Sequence, residues 1–326
     1  MFMKKPTTRK KSIADALPTV AKWLLLAVFL LAGVNAEAKL DYLYNLSNFN
    51  GPIASSWVNF GIDTAQKELY VVNPSDQSVD VFDKSGLVVH SFGDDGEFGV
   101  IRGLTLDDSG TIYLLSNIGT HFRVFVANFR GALQEELKLE GLSPLFTDDF
   151  RPDRIFCRKG HLYLVDTQQF KVLMTDLRGR YEDGFSFASI IGVNYKKRSD
   201  FDIRGFTIDG DGTIIFSIPV QSQVYLLSPD KKLKSFGQRG SSPGKFNVVG
   251  GVAADDKGHL YVADTLRCVI MIFDRTDDFK FLGEYGYRGF ATGNLIAPME
   301  VAVLGDLVYV SQSANRGVSV YRFASE

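Results

Sequence analysis

Three arginines, Arg102, Arg154 and Arg204, fall 52 and 50 residues apart along this chain. Guanidinium groups gathered at one spot hold a carboxylate, sulfate or phosphate through paired hydrogen bonds. The blander alternative is a polar channel filled by structural ion pairs, with Asp153 and Glu300 as the acids. A second set consists of oxygen donors. Asn59, Asp153 and Glu300 form an all-oxygen trio of the kind that favours calcium over zinc. Arg102 and Arg204 would then stabilise a developing oxyanion. The histidines give no comparable set. His90, His121, His161 and His259 contain no His-x-x-x-His or other close pair, which argues against a zinc site. Gly237, Gly240 and Gly244 sit in FGQRGSSPGKF, which has neither Gly-x-Gly-x-x-Gly before a helix nor Gly-Lys-Ser/Thr. They read as turn residues. No spacing assembles a Ser/His/Asp or Cys/His set, so no catalytic residue is assigned.

These candidates must be positioned by something, and the chain repeats. Tyr70, Tyr113, Tyr163, Ile215, Tyr261 and Tyr309 recur at spacings of 43, 50, 52, 46 and 48. Each lies in a short apolar strand preceded by a polar or Gly-bearing turn, such as DDSG, DGDG or DDKG. An apolar third strand follows each one, and fourth strands are visible after five of the six. A period in this range predicts an all-β, six-bladed β-propeller of four-stranded antiparallel blades. The sixth repeat stops after its third strand. Its outer strand is assigned to the N-terminal segment at about 40–46, LDYLYNL, which would fasten the ring shut.

In such a ring, the loops from fourth to first strands and from second to third strands share one face. The inner strands begin there, and their first residues line a channel mouth. Asn59, Arg102, Asp153, Arg154, Arg204 and Glu300 all fall at that place. Asp166 and Asp264 end second strands, with Asn73 in the corresponding position. A short carboxylate there accepts backbone N–H groups and is read as structural. The loop aromatics Phe98, Phe150, Tyr195, Tyr287 and Phe290 are candidate contact anchors. The basic run Lys196-Lys197-Arg198 sits in the longest linker and reads as a solvated loop or a contact with an acidic partner.

The segment PGKF-x-x-V-x-G-V-A-A-D-D-x-G-H-L-Y-V-A-D-T, residues 243–265, resembles the NHL repeat. RPDRIFCRKGHLYLVD and FGIDTAQKELYVVN are weaker copies. The resemblance runs over residues 40–323 and is least at blade 4, where IIFSIP lacks both Tyr and Asp. It implies a six-bladed scaffold and not a reaction. Similar propellers hold a divalent ion through a Glu, an Asn and an Asp from different inner strands, which is the source of the calcium alternative. Some intracellular members bind RNA.

Residues 1–38 look like a signal peptide, cleaved after Ala38, leaving 39–326 as the propeller. The basic lead Lys4 to Lys22 precedes the apolar run Trp23 to Val34 and the small-residue site Ala36-Glu37-Ala38. The apolar run has 12 residues, short for a span, which takes about 20. The leader holds 6 of the 36 Lys and Arg and 2 of the 38 acids, so the remainder carries a net charge of about −6. That opposes nucleic-acid binding. Cys157 and Cys268 do not make a disulfide framework and are expected to be free. The resulting expectation is an exported, periplasmic or extracellular, monomeric binding protein. It would take a protein or glycan partner on its loop face, with no cofactor, no membrane span after cleavage and no enzymatic activity. The alternative is a calcium-dependent hydrolase or lyase at the channel mouth.

Overall fold

The computed structural model describes residues 39–53, 58–93, 95–119, 121–146, 149–192, 201–314 and 316–324. The expected signal peptide at 1–38, the Lys196-Lys197-Arg198 run, Trp57 and Tyr195 lie outside the described residues. Among those described, no helix is long and apolar enough to cross a membrane.

Six four-stranded antiparallel sheets follow one another. Blade 1 runs Asn59–Asp63, Glu68–Asn73, Ser78–Phe82 and Val88–Phe92. Blade 2 runs Val100–Leu106, Ile112–Ile118, His121–Ala127 and Leu133–Leu137. Blade 3 runs Arg154–Arg158, His161–Asp166, Lys171–Asp176 and Tyr181–Ser186. Blade 4 runs Phe206–Ile208, Ile214–Ile218, Gln223–Leu227 and Leu233–Phe236. Blade 5, the most regular, runs Val249–Ala254, His259–Asp264, Val269–Asp274 and Lys280–Tyr285. Blade 6 takes Pro298–Leu304, Leu307–Gln312 and Gly317–Ala324. Lys39–Asn45 pairs antiparallel with Gly317–Ala324, placing Leu40 opposite Phe323 and Tyr42 opposite Tyr321.

The core is divided among the seams. Each of six apolar clusters joins two neighbouring blades; Tyr261, Ile270, Val308 and Tyr321, for example, join blades 5 and 6. Second and third strands lie between two such seams, so they are buried on both sides and read as continuous apolar runs. Outer strands are largely exposed, as in Val88–Phe92 and Leu133–Leu137, where only Phe92 and Leu137 are buried.

Each loop between blades also contributes one plug. Ile53, Phe98, Phe150, Phe187, Phe246 and Leu295 are all fully buried. Phe98 meets Phe92 and Phe125 edge-on, and Phe246 meets Phe236 and Phe273 in the same way. Burying such a side chain contributes about 1.5–3 kcal/mol. Phe98 and Phe150 are therefore core residues and not surface anchors. A positive-φ glycine two residues earlier, at Gly96, Gly244 and Gly293, turns the loop so that Phe98, Phe246 and Leu295 point inward.

The inner strands of blades 4, 5 and 6 approach through glycines. A Cβ on Gly205 would sit 2.6 Å from the Gly250 carbonyl oxygen, and one on Gly251 would sit 2.5 Å from that of Met299. Blade 4 keeps its four strands despite its divergent sequence. Ser217 extends the short inner strand, accepting from the Gly205 N–H at 2.9 Å and donating to the Gly250 carbonyl at 2.6 Å.

Candidate functional site

The inner strands start at the loop face, and there the channel is tied shut. Arg154 opens the inner strand of blade 3 and reaches across to Glu300 of blade 6, Nη2 to Oε1 at 2.6 Å. Its Nη1 donates to the Asn59 Oδ1 of blade 1. Asn59 Nδ2 in turn donates to the Arg102 carbonyl of blade 2. The Arg204 carbonyl of blade 4 lies 3.4 Å from Arg154 Nη2. Five of six blades thus meet in one hydrogen-bonded cross-tie; blade 5 offers Gly250 at the equivalent place. Bulges at Ile101/Gly103 and Pro298/Val301 set the inner-strand starts that carry Arg102 and Glu300. The Ser311 hydroxyl fixes the Glu300 N–H at 3.0 Å.

Only 17% of the Arg154 side chain and 15% of the Glu300 side chain remain exposed. Burial pushes the Glu300 carboxyl above the ordinary carboxylate range, against the pull of Arg154. Burial also opposes the Arg154 charge, but Glu300 and Asp153 outweigh it and hold the guanidinium pKa above its usual value.

The three guanidinium groups therefore do not converge. Arg102 and Arg204 give their carbonyls to the cross-tie and turn their side chains elsewhere. Arg204 Nε pairs with Asp202 at 3.0 Å, and the exposed Arg102 Nε lies 3.2 Å from the Asn117 amide. The oxygen trio is divided as well. Asn59 and Glu300 both bind Arg154, while Asp153 accepts from the Thr167 hydroxyl at 2.6 Å and its N–H at 3.1 Å. A cation at that spot would have to displace a like-charged guanidinium. Among the described residues, no group of three His, Cys, Asp or Glu side chains is placed to hold a metal.

The carboxylates that end second strands work as staples. Asp264 Oδ2 accepts from the Asn247 N–H at 2.7 Å, and Oδ1 from the Arg267 N–H at 2.9 Å. Asp166 does the same for Arg151 and Gln169. Each clamps the loop arriving from the previous blade to the turn of its own blade. Both are buried, and desolvation raises the Asp166 pKa despite these donors.

The channel opens at the opposite end, among the hairpins joining inner to second strands. A cavity of about 840 Å³ runs from the cross-tie to this mouth. Seven aspartates line it: Asp63, Asp107, Asp108, Asp209, Asp211, Asp255 and Asp256. Arg158, Lys159 and Arg275 are the basic residues at this mouth, and Arg154 of the cross-tie lines the far end. Several of these acids brace their own turns. Asp107 Oδ1 accepts from Ser109 and Thr111, and Asp255 binds His259 and Tyr261. Reading DDSG, DGDG and DDKG as turns found these residues without finding that they form a rim.

Surface character also differs between the two ends. Among the described residues, ten large apolar side chains are exposed, and seven lie in loop-face segments: Phe49, Val100, Ile118, Val220, Leu266, Tyr287 and Phe290. Of the proposed anchors, Tyr287 and Phe290 are 78% and 73% exposed. Both cysteines are free and buried.

No family model matches the chain. An 89-residue stretch is 34% identical to Protein brain tumor of Drosophila melanogaster; it takes in 26% of this chain and 8% of that protein's length. A structural-genomics protein of unknown function from Bacteroides thetaiotaomicron superposes with a TM-score of 0.60 at 13% identity, over 88% of this chain and 77% of that one. Virginiamycin B lyase from Staphylococcus aureus gives a TM-score of 0.56 at 13% identity, over 88% of this chain and 99% of the lyase. At such identities the likeness is one of fold.

Proposed function

We propose that this chain is an exported, monomeric NHL-type propeller that works as a binding scaffold and takes a protein or glycan partner on its loop face. One observation carries the reading: exposed apolar side chains concentrate on that face while the channel beneath them is tied shut. The face therefore offers apolar contact area in place of an open channel mouth. Aliphatic members such as Val220 and Leu266 favour a protein over a glycan. The apolar lead in residues 1–38 supports export.

The deciding experiment compares capture from the exported fraction by three immobilised proteins. These are the full chain, its Tyr287→Ser/Phe290→Ser variant, and an Asp256→Asn variant altered at the opposite mouth. A partner retained by the first and third and lost by the second is the expected result. Equal retention by all three overturns the loop-face assignment.

A further inference from the structure

The open cavity is lined by a partly buried arginine that makes no ion pair with any described residue. Arg158 ends the inner strand of blade 3 and lines the cavity. Its Nε donates to the Ile208 carbonyl at 2.7 Å and its Nη1 to the Cys157 carbonyl at 2.7 Å. It forms no ion pair with any described residue, whereas nearby Arg275 pairs with Asp209 and Asp211. Burial pulls the Arg158 pKa below the ordinary arginine value, even with Asp209 and Asp108 acting on it through space. A half-buried guanidinium bonded only to neutral carbonyls retains capacity for an anion.

The rim constrains which anion. At the mouth, seven aspartates against three cations repel a multiply charged anion. Asp108 on blade 2 acts on Arg158 of the adjacent blade 3, Asp63 on blade 1 lines the same cavity, and neither acid is paired with a cation among the described residues. The cavity size lies in the range that encloses small organic ligands. Its walls are the inner strands, each an edge strand of its sheet, with one row of N–H and C=O groups turned to the channel. Such an edge satisfies peptide groups.

We propose that this cavity binds a small zwitterion of the amino-acid and short-peptide class, entering from the turn face. The carboxylate sits on Arg158, and the ammonium group faces Asp63 and Asp108. The site is independent of the loop-face reading and lies at the other end of the channel.

Calorimetric titration of the full chain with triglycine tests it. N-acetylglycine supplies the anion alone and glycinamide the cation alone. Triglycine should bind saturably, and each half-probe about tenfold more weakly. Arg158→Gln should weaken triglycine about tenfold or more, and Asp108→Asn about threefold. Asp108 is exposed, so its variant and the half-probes decide the matter even if Arg158→Gln fails to fold. Tyr287→Ser should leave triglycine binding unchanged, which separates this site from the loop face. The proposal is overturned by absence of saturable binding, by equal affinity for N-acetylglycine, or by indifference to both channel substitutions.

Discussion

The two ends of the channel are built from the same six strands and have opposite characters. Near their loop-end starts the inner strands carry Asn59, Arg102, Arg154, Arg204, Gly250 and Glu300. These residues differ from blade to blade, and their differences complement one another across the ring. At the turn end, blades 1, 2, 4 and 5 contribute aspartates. Like charges cannot tie a hole shut, so that end stays open and charged. The repeat itself therefore leaves the channel open at one end, and departure from the repeat closes it at the other.

The comparison can be tested by substitutions at each end. The largest effect is expected from Phe246→Ala, which removes a loop-end plug and leaves a cavity between blades 4 and 5; chemical denaturation should show a loss of about 3–5 kcal/mol. Glu300→Ala leaves Arg154 buried without its acid and should cost about 3 kcal/mol. Joint replacement by Arg154→Met and Glu300→Leu should restore most of that loss, since an apolar tie avoids the desolvation cost. If the double variant is as unstable as the single one, the cross-tie holds the ring by more than charge compensation. At the open end, Asp107→Ala removes only a turn brace and should cost about 1 kcal/mol.

Cys157 gives a smaller effect that depends on pH. Burial pushes its thiol from 9.0 up to about 11. Because the folded pKa is the higher one, the unfolded chain releases its proton first. Stability is complete below pH 9 and falls as pH rises toward 11. Cys157→Ala should flatten that part of the profile of melting temperature against pH. The smallest effect is expected from calcium. With Arg154 standing between Asn59 and Glu300, added calcium should leave the melting temperature unchanged, and a clear rise would revive the ligand trio.

Much of the ring was legible because strand periodicity and turn chemistry are local. Blade 5 declares itself through VGGVAADDKGHLYVAD alone. Blade 4 was harder, since Ile215 replaces the Tyr and Ser217 continues the inner strand by a side chain. The plugs left a signal that was not used: Gly96-Glu97-Phe98, Gly244-Lys245-Phe246 and Gly293-Asn294-Leu295 share one pattern. Phe98 and Phe150 were mistaken for surface residues because a loop aromatic has no periodicity to show its direction. The channel arginines fall at the expected level of the ring, and Glu300, one of the two acids offered as their partners, pairs with Arg154; Asp202, the partner of Arg204, left no such signal.

Repeat length, strand order and the positions of the hairpin aspartates were determined by the sequence itself, since each depends on residues within one repeat. Which end of the channel is closed was decided only by the tertiary structure. Arg154 and Glu300 are 146 residues apart in the chain, and only closure of the ring brings them within 2.6 Å.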